Sequence, residues 1–496
     1  MTRWLMFLLL LLSPGVNRLR AEFSPAAMVP IHPSPASTPV SAHQAQHSLV
    51  VSPQGPYTTI EAALAAAHPG DTIEVHGGTY AGPLVVDKTV TLIGRDGATV
   101  DGQGQGTVLT VAARGAVVRG FVIRGSGESH DRENAGVVLA APETTLEESR
   151  LEDVLFGVTV AQAPHSVVRG NTITGKPLPV ALRGDGLRVW ESPETLVENN
   201  HLIAMRDLLL WYSDGTTVRG NTVEQGRYGL HFMFNNRTTI EGNVLRGNSV
   251  GVYLMYSNDI AITQNSLLTN RGPSGYGLGL KDVNRMVATG NLFLDNRVGV
   301  YLDNSPLEIG VVNRFEGNTF AFNDIGLSFL PQVKNNVFTR NSFVENGQQL
   351  SIEGNRQFMG NVWTDPTTGV GNYWSDYAGY DADHDGQGDL PYRNESLFES
   401  LMDRRPELRL FLLSPAAQAV DLAARAFPLV APQPRLTDEA PLMAFVPLTD
   451  VPLPPPASPR PLLAASLFLL GLAALIIGRQ WPVVRRWNEK RAWIAR

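Results

Sequence analysis

The chain contains GLHFMFNN at residues 229–236 and, one repeat later, GVYLMYSN at residues 251–258. Because neighbouring side chains of a strand point to opposite faces, the apolar second and fourth positions predict the core face. The third and fifth positions then predict the outer face. The same pattern returns as DLLLWYSD at 207–214, GLGLKD at 277–282, GVYLDN at 299–304 and GLSFLP at 326–331.

An asparagine followed by a short β-rich string recurs through the same part of the chain. From Asn200 onward, successive asparagines of this kind are 20 to 27 residues apart. This repeat is too short for a pair of helices and suits one coil of a parallel β-helix. Stacked asparagines can hydrogen-bond from coil to coil. We therefore predict an all-β solenoid over residues 49–365. The asparagines are Asn171, Asn200, Asn221, Asn243, Asn265, Asn291, Asn318, Asn341 and Asn361.

A short helix is predicted before the first coils. TTIE at residues 58–61 has the pattern of a capping box, with Thr58 as the N-cap and Glu61 as its partner. The alanine-rich segment that follows ends before Pro69 and Gly70. Such a helix would cover the first coil, whose edge a solenoid otherwise leaves exposed.

The composition limits the class of protein. The 496 residues are 43% hydrophobic and 18% charged, and none is cysteine. This excludes a disulfide scaffold, a thiolate metal site and a cysteine nucleophile, so any metal must be held by His, Met or oxygen ligands. The formal net charge is −7, and the part of the chain before the basic tail is more acidic still. We therefore expect no nucleic-acid partner.

Both ends of the chain predict a protein outside the cytoplasm that is anchored in a membrane. Residues 1–21 have the basic start and apolar run of a signal peptide. Residues 462–478 are apolar and predict one transmembrane helix, whose basic tail, residues 479–496, should stay in the cytoplasm. Proline-rich linkers are predicted on either side of the body, at residues 22–48 and 447–461.

The outer face carries a candidate copper site. Met233 and Met255 occupy the same position on adjacent coils, about 4.8 Å apart at the backbone, and His231 lies about 6.6 Å along the strand. Two thioethers and an imidazole favour Cu(I), whereas carboxylates favour harder ions. Alternatively, the face is an apolar patch for a protein partner, and the two hypotheses are compatible. That patch would comprise Trp211, Met233, Tyr253, Met255 and Tyr301.

A second metal site is predicted after the last coil. The loop places carboxylates at positions 1, 3, 5 and 9 of a calcium loop and the Gln387 carbonyl at position 7, with Gly386 at the sharp turn. Position 12 is Tyr392, so the bidentate glutamate of an EF-hand is missing. A short structural calcium loop and a metal-free turn both fit this pattern. The candidate ligands are Asp381, Asp383, Asp385, Gln387 and Asp389.

A carbohydrate-active protein is the main alternative function. Parallel β-helices that process acidic polysaccharides use carboxylates on an outer face. The exposed positions offer Asp303 beside Lys281, with Asp185 more than two coils away, whereas a glycosidase needs two carboxylates within about 10 Å. The sequence also lacks a serine-nucleophile elbow and a phosphate-binding glycine loop before a helix. We expect no enzymatic activity, and a plain surface interaction module is the third hypothesis.

Residues 371–393, GNYWSDYAGYDADHDGQGDLPYR, closely resemble the signature of the NosD family, periplasmic maturation factors of the copper enzyme nitrous oxide reductase. YGLHFM at 228–233, VGVYLMYS at 250–257 and GYGL at 275–278 also resemble central coils of that family. The resemblance implies a right-handed, pectin-lyase-like β-helix that residues 366–393 close.

The resemblance also implies partners. A NosD-like protein associates with a membrane permease and a cytoplasmic ATPase in an ABC-type complex. It helps to deliver copper to nitrous oxide reductase and receives it from a small copper-chaperone lipoprotein. Residues 394–446 predict an amphipathic helical segment, broken at Ser414-Pro415, that docks on the permease or caps the β-helix. The predicted anchor at 462–478 departs from soluble members and would raise the effective concentration at the permease.

Overall fold

The computed structural model contains a right-handed parallel β-helix of about 13 turns, with few helices. This confirms the predicted all-β fold class. The predicted signal peptide, residues 1–21, lies outside the described part of the chain, as does nearly all of the predicted linker 22–48. The structure describes residues 47–353, 360–412, 414–427, 434–453 and 463–476.

Three parallel sheets form the walls of the β-helix, and each strand pairs with a strand one coil further along. Sheet A contains Ser48–Val51, Thr72–Val75, Thr91–Gly94, Val117–Arg119, Thr145–Glu147, Val167–Arg169, Leu196–Glu198, Thr217–Arg219, Thr239–Glu241, Ala261–Thr263, Val287–Thr289, Asn313–Glu316 and Asn336–Thr339. Sheet B contains Leu84–Val86, Leu109–Val111, Ala135–Leu139, Phe156–Ala161, Leu187–Trp190, Asp207–Trp211, Tyr228–Met233, Val250–Met255, Tyr276–Lys281, Val298–Asp303, Ile325–Phe329 and Gln348–Ile352. Sheet C contains Thr79–Ala81, Thr99–Asp101, Val122–Arg124, Arg150–Val154, Thr172–Gly175, His201–Ile203, Thr222–Glu224, Val244–Arg246, Ser266–Leu268, Leu292–Leu294, Thr319–Ala321, Ser342–Val344 and Tyr373–Trp374.

The interior is one continuous apolar cluster that runs from the first coil to the last. On sheet B, both apolar positions of the repeat are fully buried in every aligned copy. Side chains of one type also stack along the axis, as Phe293, Phe320 and Phe343 do at 4.8 Å between ring centroids. Each coil therefore buries its apolar side chains against its neighbours, which is how a solenoid gains stability.

The predicted asparagine ladder lies inside the corner between sheets A and C. Asn221 Nδ2 donates to Asn243 Oδ1 at 3.0 Å, and Asn243 Nδ2 donates to Asn265 Oδ1 at 2.9 Å. The same Asn243 oxygen accepts from the backbone N–H of Asn221 at 2.9 Å, and Asn243 Nδ2 also donates to the Val218 carbonyl. All of these amides are fully buried. Leaving a buried amide without a hydrogen-bond partner would lower the stability of the fold, so the ladder holds each coil in register with the next.

The ladder ends at a different asparagine from the one predicted. Asn341 Nδ2 donates to Asn372 Oδ1 at 2.9 Å, whereas Asn361 accepts from Asn336 at another corner. The prediction of Asn361 was wrong because Asn361 lies at the start of a sheet A segment, where Val362 bridges to Val337, and the turn at residues 363–371 separates it from the ladder corner at Asn372. A second ladder, which the sequence analysis missed, lies at the corner between sheets C and B. It consists of Asn248, Asn270, Asn296, Asn323 and Asn346.

The N-terminal helix, Ile60–Ala66, begins one position later than predicted. Its N-cap is Thr59 rather than Thr58, because the Thr59 hydroxyl accepts from the Ala62 N–H at 3.2 Å. Glu61 therefore occupies the second helical position instead of the third. Ile60, with Ala63 and Leu64, is buried in the main core, so the helix packs on the first coils.

The closing motif, residues 366–393, adds the last strand to sheet C and covers the end of the apolar core. Trp374, in the last strand, stacks on Phe343 at 4.2 Å and on Tyr392 at 4.4 Å. Asp438 is fully buried and accepts from Trp374 Nε1 at 2.9 Å and from the Asn372 N–H at 2.7 Å. Asp438 reaches this position through an antiparallel strand pair, Tyr392–Arg393 with Thr437–Asp438. A buried carboxylate thus satisfies the final rung of the ladder.

The segment 394–446 is only partly helical, which corrects the prediction. Its helical elements are Leu397–Arg404, the 3₁₀ helix Pro406–Phe411, and Pro415–Ala426. Residues 434–446 contain no helix and only the short strand Thr437–Asp438, because the chain returns here to place Asp438 against the closing motif. One further 3₁₀ turn, Val180–Leu182, lies between the strand Thr172–Gly175 of sheet C and the strand Leu187–Trp190 of sheet B.

The chain after the closing motif follows sheet C instead of forming a free linker. The Val446 N–H donates to Ser342 Oγ at 3.0 Å, and Gln264 Nε2 donates to the Thr449 carbonyl at 3.2 Å. At least the start of the predicted linker 447–461 is therefore bound to the solenoid. Residues 463–476 are helical.

The predicted transmembrane helix at 462–478 is not supported. Across the described ranges, no helix combines the length and apolar character needed to span a membrane. The predicted basic tail 479–496 lies outside the described residues.

Replacing one ladder asparagine tests the role of the ladder. Asn243→Ala would leave the buried backbone N–H of Asn221 without its acceptor, and would remove the amide donor that the Val218 carbonyl and Asn265 Oδ1 share. Since each unsatisfied buried group costs about 1–3 kcal/mol, we expect the free energy of unfolding to fall by at least about 2 kcal/mol in urea denaturation. Glu241→Ala, an exposed change on the same coil, should stay within about 0.5 kcal/mol. Equal stability of the two variants would contradict the ladder's role.

Candidate metal site on the outer face of sheet B

The two methionines that were predicted as copper ligands lie side by side. Met233 and Met255 are paired in register on adjacent strands of sheet B. His231 lies two residues before Met233 on the same strand and pairs with Tyr253. All three predicted copper ligands are half-buried, so they line the outer face without being sealed from solvent. The fold therefore brings two thioethers and one imidazole to a single small area.

The alternation of the strand produces this arrangement. Leu230 and Phe232 flank His231 and are fully buried, so the imidazole must point outward. Gly229 allows a close approach where the strand enters the sheet, since a Cβ there would lie 2.5 Å from the Gly251 carbonyl oxygen. At the same position of the repeat, Trp211 lies on the coil before the methionine pair and Lys281 on the coil after it. The thioether pair is therefore confined to two coils.

The His231 ring is enclosed by aromatic and charged groups. Its centroid lies 4.8 Å from that of Tyr228 and 6.5 Å from that of Tyr253. The Nδ1 atom is buried and lies 3.6 Å from Asp207 Oδ2, just beyond hydrogen-bond distance. The side chain is 12% exposed. Since Nδ1 is the buried nitrogen, Nε2 is the one that lies toward solvent.

Asp207 is a functional candidate that the sequence analysis missed. It is 2% exposed, and its Oδ1 accepts from Arg227 Nε at 3.0 Å and from the Tyr228 N–H at 3.1 Å. Burial by itself would raise the pKa of Asp207, but the contacts with His231 and Arg227 outweigh it and lower the pKa. In the aligned repeats Asp207 occupies the first position, where the other copies carry glycine. This replacement of glycine by aspartate was the sequence feature that could have indicated a special role for Asp207.

A row of aromatic side chains, exposed except for the half-buried Tyr256, borders the site. Tyr212, Phe234 and Tyr256 stack along the axis at 5.0 and 4.9 Å, and Trp211 stacks on Tyr212 at 5.6 Å. The three stacked residues have φ near +50°, a conformation unfavourable for bulky side chains. The equivalent left-handed turn positions on flanking coils are polar: Glu191, Asp282 and Asn304. Aromatic residues are thus concentrated on the coils of the methionine pair.

The predicted apolar patch divides into two groups. Trp211 belongs to this aromatic row, beside the methionines. Tyr253 and Tyr301 belong to a separate tyrosine row with Tyr228 and Tyr276, in which Tyr276 and Tyr301 stack at 4.5 Å. Burial raises the pKa of Tyr253 to about 12. This phenol therefore stays protonated at neutral pH in the metal-free protein.

The carboxylates proposed for polysaccharide chemistry do not come together. Asp185 is 1% exposed and pairs with Arg206 at 2.8 Å, while Asp303 pairs with Lys281 at 2.9 Å. Their strands are five coils apart in sheet B, or roughly 24 Å at the spacing of strands. This exceeds the separation across which two carboxylates cleave a glycosidic bond.

The predicted calcium loop gathers three of its four carboxylates. Carboxylate oxygens of Asp381, Asp383 and Asp385 lie within 4.8 Å of one another. Asp389 instead accepts from the Ala382 N–H at 2.7 Å. The fifth candidate is the Gln387 carbonyl, and the side chain of this residue donates to Asp385 at 3.3 Å. Asp381 accepts from the N–H groups of three loop residues, as in a metal-free turn. Both predicted forms of the loop remain compatible with this geometry.

Solved structures with the same architecture show the fold alone. The catalytic domain of a GH87 alpha-1,3-glucanase in complex with tetrasaccharides is 12% identical, with a TM-score of 0.50, and the match covers 68% of this chain and 71% of that one. The catalytic unit of the GH87 alpha-1,3-glucanase from Streptomyces thermodiastaticus strain HF3-3 is 16% identical, with the same TM-score and coverage.

Sequence comparisons are more informative. A family model described as "Periplasmic copper-binding protein (NosD)" matches residues 169–379, which include all three candidate copper ligands. A protein of Pseudomonas aeruginosa named "Probable ABC transporter binding protein NosD" is 32% identical over 401 residues, 77% of this chain and 89% of the relative. A protein of Stutzerimonas stutzeri with the same name is 29% identical over 384 residues, 74% of this chain and 85% of the relative. The chain belongs to the NosD family.

Proposed function

We propose that this protein is a periplasmic accessory factor in the maturation of nitrous oxide reductase, and that it holds and hands over copper without catalytic activity of its own. The observation that carries the proposal is the in-register pair Met233 and Met255, with His231 on the same strand. The family description as a periplasmic copper-binding protein supports it.

The donor set favours transient binding of Cu(I). Thioether sulfur and neutral imidazole are soft or borderline ligands, and Cu(I) is the common biological ion that prefers them. Three ligands on an open sheet face leave room for a further ligand from a partner, as the open position of a catalytic zinc site does for substrate. Copper can then pass to or from the site by exchange of ligands.

The aromatic row is the proposed docking surface for the protein that delivers copper, a small copper-chaperone lipoprotein. Tyr212 is 48% exposed, and Trp211 and Phe234 are each 36% exposed. A contiguous exposed aromatic surface usually marks a protein interface. Its position beside Met233 and Met255 would bring a docked chaperone within reach of the thioethers, so copper site and docking patch act together.

The C-terminal helices are the proposed contact with the membrane permease and cytoplasmic ATPase of an ABC-type complex. The names of the two relatives support this association. Leu410, Phe411, Leu422 and Phe427 are each more than half exposed on these helices. Exposed large apolar side chains at one end of the solenoid suit docking on an apolar partner. The signal peptide and the membrane anchor of the sequence analysis remain predictions.

Cu(I) binding by the purified full chain tests the proposed site. In competition with a chromophoric chelator, we expect one equivalent of Cu(I) to bind to the wild type. The variant with His231→Ala, Met233→Leu and Met255→Leu should lose it, because all three soft ligands are removed. Met286→Leu changes a fully buried methionine of the core and should bind like the wild type. Equal binding by the triple variant, or none by the wild type, would contradict the site.

For the loop at Asp381, Asp383 and Asp385, we propose a structural calcium ion. If calcium binds, a concentration of about 100 times the Kd should stabilise the protein by roughly 2.7 kcal/mol. Asp383→Asn combined with Asp385→Asn keeps the loop's acceptor oxygens but removes two charges, so this gain should vanish in thermal unfolding with calcium against chelator. Asp87→Asn, an exposed carboxylate elsewhere, should keep it. No calcium-dependent shift in the wild type would favour the metal-free turn.

A further inference from the structure

We infer that Asp207 is a positioning residue for the copper site, whose carboxylate fixes His231 in the tautomer that leaves Nε2 free to bind Cu(I). The inference rests on the proposed copper function and concerns a residue outside the proposed ligand set. It makes Asp207 a determinant of copper affinity without direct contact with the metal.

The position of His231 Nδ1 gives the first reason. This nitrogen is buried, has no hydrogen-bond partner within 3.5 Å among the residues that the structure describes, and faces Asp207 Oδ2 at 3.6 Å. A carboxylate can only accept, so a proton on Nδ1 is the arrangement that satisfies both groups. The neutral ring then carries its lone pair on Nε2. Metal-bound histidines commonly have such a carboxylate on their other nitrogen.

The rigidity of Asp207 gives the second reason. Its carboxylate accepts from the Tyr228 N–H at 3.1 Å and from Arg227 Nε at 3.0 Å, and a second Arg227 nitrogen pairs with Oδ2. The backbone donor belongs to the same strand as His231. The carboxylate is therefore held in place independently of the imidazole and can orient it.

The aromatic neighbours restrict the ring further. Tyr228 lies against His231 at an interplanar angle of 57°, and Tyr253 meets it edge-on at 74°. A ring flip about the Cβ–Cγ bond, which would exchange Nδ1 with Cδ2, would have to displace these side chains. The packing therefore keeps Nδ1 toward Asp207 and Nε2 on the outward side of the ring.

Asp207→Asn should reverse the tautomer. The side-chain oxygen of the new amide would stay with its two donors, the Tyr228 N–H and Arg227 Nε, so the amide NH₂ would take the place of Oδ2. That NH₂ donates to Nδ1, which must then be unprotonated, and the proton moves to Nε2. The displaced nitrogen of Arg227 can turn to water, because this side chain is 43% exposed.

Asp185 provides a matched control. It lies one coil earlier, is 1% exposed, and accepts from Arg206 at 3.0 and 2.8 Å, so Asp185→Asn disturbs a similar buried ion pair. Its hydrogen-bonded partner among the described residues is Arg206 rather than His231. A loss of stability alone would therefore appear in both variants, whereas a change of tautomer should appear only in Asp207→Asn.

The test uses the full chain and two measurements on the wild type, Asp207→Asn and Asp185→Asn. The first is the His231 tautomer in the metal-free protein, from ¹⁵N shifts of labelled histidine assigned with His231→Gln. The second is the Cu(I) affinity from chelator competition. We expect Asp207→Asn alone to show the Nε2–H tautomer and a 10- to 100-fold weaker affinity, the range typical for loss of such a partner.

Each outcome decides a separate question. If Asp207→Asn keeps the wild-type tautomer and affinity, or if Asp185→Asn shows the same losses, the positioning role is wrong. If the wild type binds no Cu(I), the proposed function fails. In that case the tautomer in the metal-free protein still decides whether Asp207 orients His231.

Discussion

Register between coils is the constraint on which the rest of this structure depends. Backbone pairing holds adjacent coils together, but it would tolerate a slip by two residues without turning core side chains outward. The asparagine ladders remove that freedom, since an amide such as Asn243 finds its donors and acceptors in only one alignment. The closing motif ends the main ladder on Asp438, so its last amide is also satisfied.

The candidate site is a direct product of that register. Met233 and Met255 belong to different coils and meet only because their strands are aligned residue for residue. Asp207 faces His231 from the neighbouring strand on the other side. Three coils therefore contribute to the imidazole and its surroundings. The aromatic row occupies the turn beside the same coils. Ligands, positioning group and docking surface therefore lie on a rigid wall, where they need little reorganisation.

Much of this arrangement could be predicted from the sequence. The alternation in GLHFMFNN and its copies placed Leu230 and Phe232 in the core and aligned Met233 with Met255, because a period of two has one solution when one face is buried. The end of the ladder at Asn372 could not be predicted, since the turn at residues 363–371 lengthens the last coil. The proximity of Asp207 to His231 depends on a register irregularity at the strand's start. The path of residues 434–452 along the solenoid depends on long-range contacts that leave no local pattern.

The claim that one outer face of the solenoid binds copper through sulfur and nitrogen is tested most directly by X-ray absorption spectroscopy. The measurement is the extended fine structure at the copper edge for the full chain loaded with one equivalent of Cu(I). The account predicts two sulfur scatterers and one histidine nitrogen in the first shell, with the sulfur contribution lost in Met233→Leu combined with Met255→Leu. A first shell of oxygen or nitrogen alone, unchanged in that variant, would contradict the account.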